Sequence, residues 1–219
     1  MKNLFRLIPA LLFLASCEME VYDKGDSEYS YMRADFVEAV VDGNKQVEYV
    51  VTDEGTQLPL TTAYTAKWIQ QADTTYRAVL YYNKVGSRAE ALSLSRVTTL
   101  SVRSNALPLK EVNTDPLGLE SVWLGKNRKY LNLGLILKTG PTENNEQQKL
   151  ALILREVTTN PDSTRTCHLL LAHSQSNIPE YYSQRVYVSV SMEGLDVDSL
   201  WLSLNTYDGL VNKGFSLKP

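Results

Sequence analysis

Cysteine and histidine are nearly missing from this chain of 219 residues, which holds only Cys17, Cys167, His168 and His173. A fold stapled by several disulfides is therefore excluded. The two histidines stand five positions apart, an odd separation that puts them on opposite faces of an extended strand, so they cannot chelate one ion together. An excess of positive charge is missing as well. With 22 basic side chains against 25 acidic ones, the chain lacks the lysine and arginine density that displaces counterions from nucleic acid, and no nucleic-acid partner is expected. No serine sits in a Gly-x-Ser-x-Gly elbow, which removes the familiar acyl-transfer nucleophile. Asp196 and Asp198 flank Val197 at the head of a strand. Calcium asks for six or more oxygens from a defined loop, so a solvated turn is the expected reading. No cofactor, metal site or catalytic residue is expected.

What is present begins with an ordered amino terminus. Lys2 and Arg6 precede an apolar stretch over 7–14, and Ala15 and Ser16 lead into Cys17. Charge, then grease, then small residues is the order of an export signal, and the stretch falls short of the ~20 residues that cross a bilayer. Leu14-Ala15-Ser16-Cys17 resembles the lipobox of bacterial lipoproteins. The resemblance implies a signal peptide over 1–16, Cys17 as the lipidation site, and a membrane partner through that amino-terminal anchor. One acyl chain, at about 0.8 kcal/mol per buried methylene, holds only marginally, whereas two or more hold firmly. Glu18 and Glu20 look like the surface-export signals of some anaerobic Gram-negative bacteria. The expected location is the cell envelope, as an outer-membrane lipoprotein facing the periplasm or the cell surface. Residues 17–30 are acidic, contain Gly25 and Ser27, and read as a flexible tether.

Loss of residues 1–16 leaves 203 residues with 20 basic and 25 acidic side chains, enough for one large or two small β-domains. Once Cys17 is acylated, Cys167 is the sole thiol. It lies in an apolar run and is read as a small buried hydrophobe.

β-formers then dominate. Residues 31–41 carry Phe36, Val37, Val40 and Val41 and stop at Asp42-Gly43-Asn44; 46–52 alternate Val47, Tyr49 and Val51; Asp53-Glu54-Gly55 turns the chain into 56–60. Tyr64, Trp68 and Ile69 stand at i, i+4 and i+5 within 61–72, which predicts one or two turns of helix. Two longer strands, 76–85 and 90–102, flank Gly86-Ser87-Arg88. Five strands and a short helix over 31–104 fit a small five-stranded barrel or a plain antiparallel sheet, and a barrel's binding surface is expected on 46–52 and 56–60.

Pro108, Asn113, Asp115 and Pro116 break the rhythm over 105–118, the expected linker. Beyond it, strands are predicted over 119–124, 130–138, 149–157, 165–172, 185–192, 198–204 and 214–217. Leu131, Leu133, Leu135 and Leu137 share one face of the second of these, with Asn132 and Gly134 on the other; Leu200, Leu202 and Leu204 likewise oppose Trp201. Strands at this spacing with almost no helix predict two sheets packed face to face over 119–219.

Tyr31-Met32-Arg33-Ala34-Asp35-Phe36, Tyr130-Leu131-Asn132-Leu133 and Leu171-Ala172-His173 together resemble the NigD-like lipoproteins. That resemblance covers nearly the whole mature chain and implies an all-β architecture, an OB-like barrel followed by an antiparallel β-sandwich. It also implies a bacteriocin-immunity-like role and brings no catalytic residue with it. The expected function is a non-enzymatic, lipid-anchored binding module with a protein or glycan partner. The alternative is a surface glycan-binding accessory protein or glycan hydrolase, for which carboxylates and 13 tyrosines are available.

Overall fold

Period-2 patterning is converted into strands almost throughout the computed structural model, which describes residues 32–104, 112–142 and 146–218. Cys17 and the tether over 17–30 lie outside the described residues. The first five strands are β1 (Met32–Val41), β2 (Val47–Thr52), β3 (Gln57–Tyr64), β4 (Thr74–Val85) and β5 (Arg88–Arg96). They close into a barrel in the order β1-β2-β3-β5-β4, with β3 and β5 its one parallel contact, at Leu60 and Ala89. Val37, Ala39 and Val41 from β1 meet Ala78, Leu80 and Tyr82 from β4 inside it. Positions of the other parity on these two strands, including Phe36, Glu38, Arg77, Val79 and Tyr81, therefore face out of the barrel.

No helix forms over 61–72. β3 runs on to Tyr64, and Trp68 and Ile69 fold onto the barrel core from a turn closed by Ile69 N–H to Ala66 O at 3.0 Å. The backbone N–H groups of Gln70 and Gln71 donate to the Tyr76 hydroxyl, and the Trp68 indole donates to Leu94 O at 3.2 Å. Side chains thus satisfy donors that a helix would have paired, and β-branched Thr61, Thr62 and Thr65 disfavour the helix besides.

The strand expected over 90–102 also divides. β5 ends at Arg96, and residues 98–104 leave the barrel as β6 (Thr98–Leu100) and β7 (Val102–Ser104). The remaining strands are β8 (Gly118–Leu124), β9 (Tyr130–Thr139), β10 (Lys149–Thr159), β11 (Arg165–Ser174), β12 (Tyr182–Ser191), β13 (Ser199–Thr206) and β14 (Gly209–Ser216). They make two sheets, β6-β12-β9-β8 and β14-β13-β11-β10-β7. The barrel thus gives way to the sandwich near Val97, ahead of the expected boundary at 104. Leu100 and Val102 share the parity that made one strand look continuous, and both pack on the sandwich core. Leu117, within the expected linker, is also buried there.

The sandwich is mixed rather than wholly antiparallel, because β6, β7 and β13 pair in parallel with β12, β10 and β11. Its core is leucine from facing strands: Leu131, Leu133 and Leu135 of β9, Leu169 and Leu171 of β11, and Leu200, Leu202 and Leu204 of β13. Trp201 lies on the outer face as predicted, 47% exposed.

Candidate functional site

The outward faces of β1 and β4 do not meet solvent along their whole length. They pack on the outer face of the β6-β12-β9-β8 sheet, whose register sets Asn132 between Trp123 and Ser189. Four polar side chains meet at this junction. Arg77 Nε donates to Ser189 Oγ at 3.1 Å, and its Nη2 donates to Asp53 Oδ2 at 2.6 Å and Asn132 Oδ1 at 3.0 Å. Asn132 Nδ2 donates to the same Asp53 oxygen at 2.7 Å, and Ser189 Oγ donates to Asn132 Oδ1 at 2.7 Å. Arg77 is 5% exposed, while Asn132 and Ser189 are wholly buried. The guanidinium carbon lies 4.1 Å from the Tyr130 ring centroid and 5.5 Å from that of Phe36. An arginine can serve three hydrogen-bond partners and two rings at once because its donors form a flat, rigid fork.

Turn contacts align the two domains beside this network. Asn127 N–H donates to Asp53 O at 2.7 Å, and Lys126 pairs with Glu54. Gly125 passes so close that a Cβ there would lie 3.0 Å from the Asp53 carboxyl carbon. Arg77 and Asn132 hold that carboxylate in place, so Gly125→Ala is expected to cost about 1–3 kcal/mol by overpacking, read as a lower urea midpoint.

Tyr130 gives the junction a pH signature. Its hydroxyl donates to Glu38 Oε1 at 3.0 Å, and burial first, then the Glu38 charge and hydrogen bond, push the phenol up to about 12 from its ordinary 10.0. The folded protein keeps this proton where the unfolded chain has released it, so the contribution is complete below pH 10 and is lost as pH rises toward about 12. Tyr130→Phe is expected to flatten the fall in unfolding free energy between pH 9 and 11, checked by urea unfolding at both.

Cavities open on both sides of Arg77. One, of ≈ 330 Å³, lies toward Glu38, Lys129, Tyr130 and Met192. The other, of ≈ 320 Å³, takes Asp35, Phe36, Asp53, Glu54 and Tyr81 from the barrel side and Trp123 and Tyr187 from the sandwich. Phe36 meets Trp123 at 5.1 Å and Tyr187 at 5.4 Å, in both cases with the rings close to perpendicular.

The residues singled out from sequence lie elsewhere. His168 and His173 occupy opposite faces of β11: His173 is buried, with Nδ1 3.0 Å from Asp115 O and Nε2 2.9 Å from Gln148 Oε1, whereas His168 Nε2 lies 3.2 Å from Thr158 Oγ1. Among the described residues, no three His, Cys, Asp or Glu side chains are grouped to hold a metal. Asp196 pairs with Arg165 at 2.8 Å, and Asp198 with Lys218 at 2.5 Å. The Lys218 hydrogen bond holds the Asp198 carboxyl below its ordinary 3.8. Cys167 is buried, and burial pushes its thiol up, away from the thiolate a reactive cysteine requires. Residues of β2 and β3 line an open groove of ≈ 370 Å³ beside Glu48, Tyr49 and Arg88; the junction uses β1, β4 and the β2–β3 turn.

Sequence reasoning passed over Arg77, Asp53 and Ser189, and placed Asn132 merely on the face away from the leucines. The available signal was that this second face of β9 offers Asn132 and Gly134 and no charge between Tyr130 and Lys138. A sheet covered on both faces reads that way.

Protein-family models give no match to the chain, and neither do curated proteins. Solved structures do. A NigD-like immunity protein from Bacteroides caccae is 20% identical, with 84% of this chain and 96% of that one covered at a TM-score of 0.62. A candidate toxin-related protein from Parabacteroides distasonis is 16% identical over 84% and 92%, also at 0.62. A candidate lipoprotein from Bacteroides fragilis is 11% identical over 86% and 98%, at 0.60. The chain has the two-domain fold of the NigD-like immunity protein, a barrel followed by a sandwich.

Proposed function

We propose that this chain is a lipid-anchored envelope protein that works without catalysis, as an immunity-type binding module whose recognition surface is the cleft between barrel and sandwich. One observation carries the reading: each of the three carboxylates beside Phe36, Trp123 and Tyr187 already has at least one partner. Asp53 accepts from Arg77 and Asn132, Glu54 pairs with Lys126, and Asp35 accepts from the Tyr82 hydroxyl at 2.7 Å. The Lys126 hydrogen bond holds the Glu54 carboxyl below its ordinary 4.5, the wrong direction for a general acid. Support comes also from the fold shared with an immunity protein and with a candidate lipoprotein, and from Cys17 after Leu14-Ala15-Ser16.

The test is a challenge experiment. A strain lacking the gene is expected to become sensitive to filtered supernatants of competing strains, and the full chain, but not Cys17→Ala, to restore resistance. Equal resistance of the deletion and parent strains across the panel would contradict the immunity reading.

Glycan binding is the second reading, favoured by neighbouring Tyr181 and Tyr182, which are 76% and 56% exposed, since such rings stack on sugars. A glycan array run with wild type and Tyr181→Ser separates it from the first. Saturable binding that the substitution abolishes would favour it; silence would retire it.

A further inference from the structure

We propose that the cavity between Phe36, Trp123 and Tyr187 admits one basic side chain, arginine or lysine, of a cationic polypeptide partner, its charged end among Asp35, Asp53 and Glu54. The proposal rests on the reading of this chain as a binding module and names the chemical class of its partner.

Charge comes first. Three carboxylates line this cavity, and no lysine, arginine or histidine does. Arg77 offsets Asp53 from the buried side, but buried Asp53 Oδ1 has no hydrogen-bond partner among the described residues, so part of that charge stands uncompensated just behind the cavity wall. Among the described residues Glu54 pairs directly with Lys126, whose side chain is 76% exposed, and Arg33 adds a weaker attraction through its charge. An exposed pair of this kind is worth little and is readily exchanged for a better-placed cation.

Ring geometry selects the shape of the guest. A pyranose stacks on one flat, open aromatic face. Here Phe36 stands nearly perpendicular to both Trp123 and Tyr187, at 86° and 89°, so the rings form a corner. A corner brings aromatic surface to a compact cation from more than one side, as aromatic cages do for ammonium groups. A volume of ≈ 320 Å³ suits one long side chain and excludes a folded element.

The molecule already uses this chemistry on the buried side of the same wall. Arg77 lies near Phe36, over Tyr130, and bonded to Asp53. Phe36 and Asp53 belong to both settings, so the cavity repeats, open to solvent, a recognition the fold satisfies internally.

The test uses the full-length lipoprotein in detergent and two capped nonapeptides, one alternating glycine with arginine and lysine, the other with glutamine at each basic position. Calorimetry is expected to show saturable binding of the basic peptide alone. Glu54→Gln and Tyr187→Leu are each expected to weaken it about tenfold, in line with losing a charge partner or a cation–π surface. Glu54 is exposed, so its variant is expected to keep the fold, and Glu156→Gln, exposed on β10 of the far sheet and away from both cavities, is expected to bind as wild type. No saturable binding, equal affinity for the glutamine peptide, or unchanged affinity in both cavity variants would overturn the proposal, as would an oligosaccharide panel binding through Tyr187 instead. Protection in the challenge experiment alongside any of these results would leave the binding-module reading standing and remove only this partner.

Discussion

Arg77→Ala is expected to lower the unfolding free energy by about 3–5 kcal/mol, the cost of removing one partner from a buried charge pair. Asp53 keeps only 14% of its side chain exposed. Without the guanidinium its carboxylate retains the Asn132 amide as its side-chain donor in a poorly hydrated junction. Ser189, fully buried, loses its arginine donor at the same time. Arg77→Met retains the apolar stem and so separates lost packing from lost charge. Lysine is no substitute, since a single ammonium cannot reproduce the flat fork over Tyr130. Combining Arg77→Met with Asp53→Asn is expected to cost less than the two changes added together, because the second relieves the unpaired charge left by the first. Urea unfolding checks all of these, and a loss below about 1 kcal/mol for Arg77→Ala would place the network among contacts of little weight. Because the damage falls between two domains with separate cores, barrel and sandwich are expected to unfold in two transitions in this variant.

Cys17→Ala is expected to move the protein from the membrane fraction to the soluble fraction completely. The proposed acyl chains are the only attachment in this account, and each contributes about 0.8 kcal/mol per buried methylene. No charged patch or amphipathic helix is invoked to hold the remainder. Mass spectrometry of the natural protein is expected to show a processed amino terminus at residue 17 bearing fatty acids. An unmodified Cys17, or equal partitioning of both forms, would remove the anchor and with it the envelope location.

Much of the fold could be read from the chain because its strands obey one rule. Leucines at alternate positions in 130–138 and 198–204 leave a single packing solution, and Trp201 opposite Leu200 and Leu202 duly lies outside the core. The failures have local causes. Tyr64, Trp68 and Ile69 have helical spacing, but the Tyr76 hydroxyl takes the backbone N–H groups of Gln70 and Gln71 that a helix would have paired, and the Trp68 indole is held by Leu94 O, 26 positions on. Residues 98–104 alternate identically whichever sheet they join, so periodicity could not show that β6 and β7 edge different sheets. The candidate site was the least legible part. Arg77 and Asn132 are 55 positions apart, and Arg77 and Ser189 are 112 apart. Each reads alone as an ordinary polar residue on a solvated strand face. Only the docking of one sheet face on another turns them into a buried network.

That docking underlies both the cleft and its proposed ligand, and it can be measured directly. Spin labels at Glu90→Cys on the barrel and Lys213→Cys on the far sheet of the sandwich, both exposed positions, report the distance between the domains by pulsed electron resonance, with buried Cys167 inert to the label. A single narrow distance distribution in wild type that broadens in Arg77→Ala is the predicted result. A broad distribution in the wild-type protein, unchanged when Arg77 is removed, would mean that the two domains move independently and that the cleft between them is no fixed site.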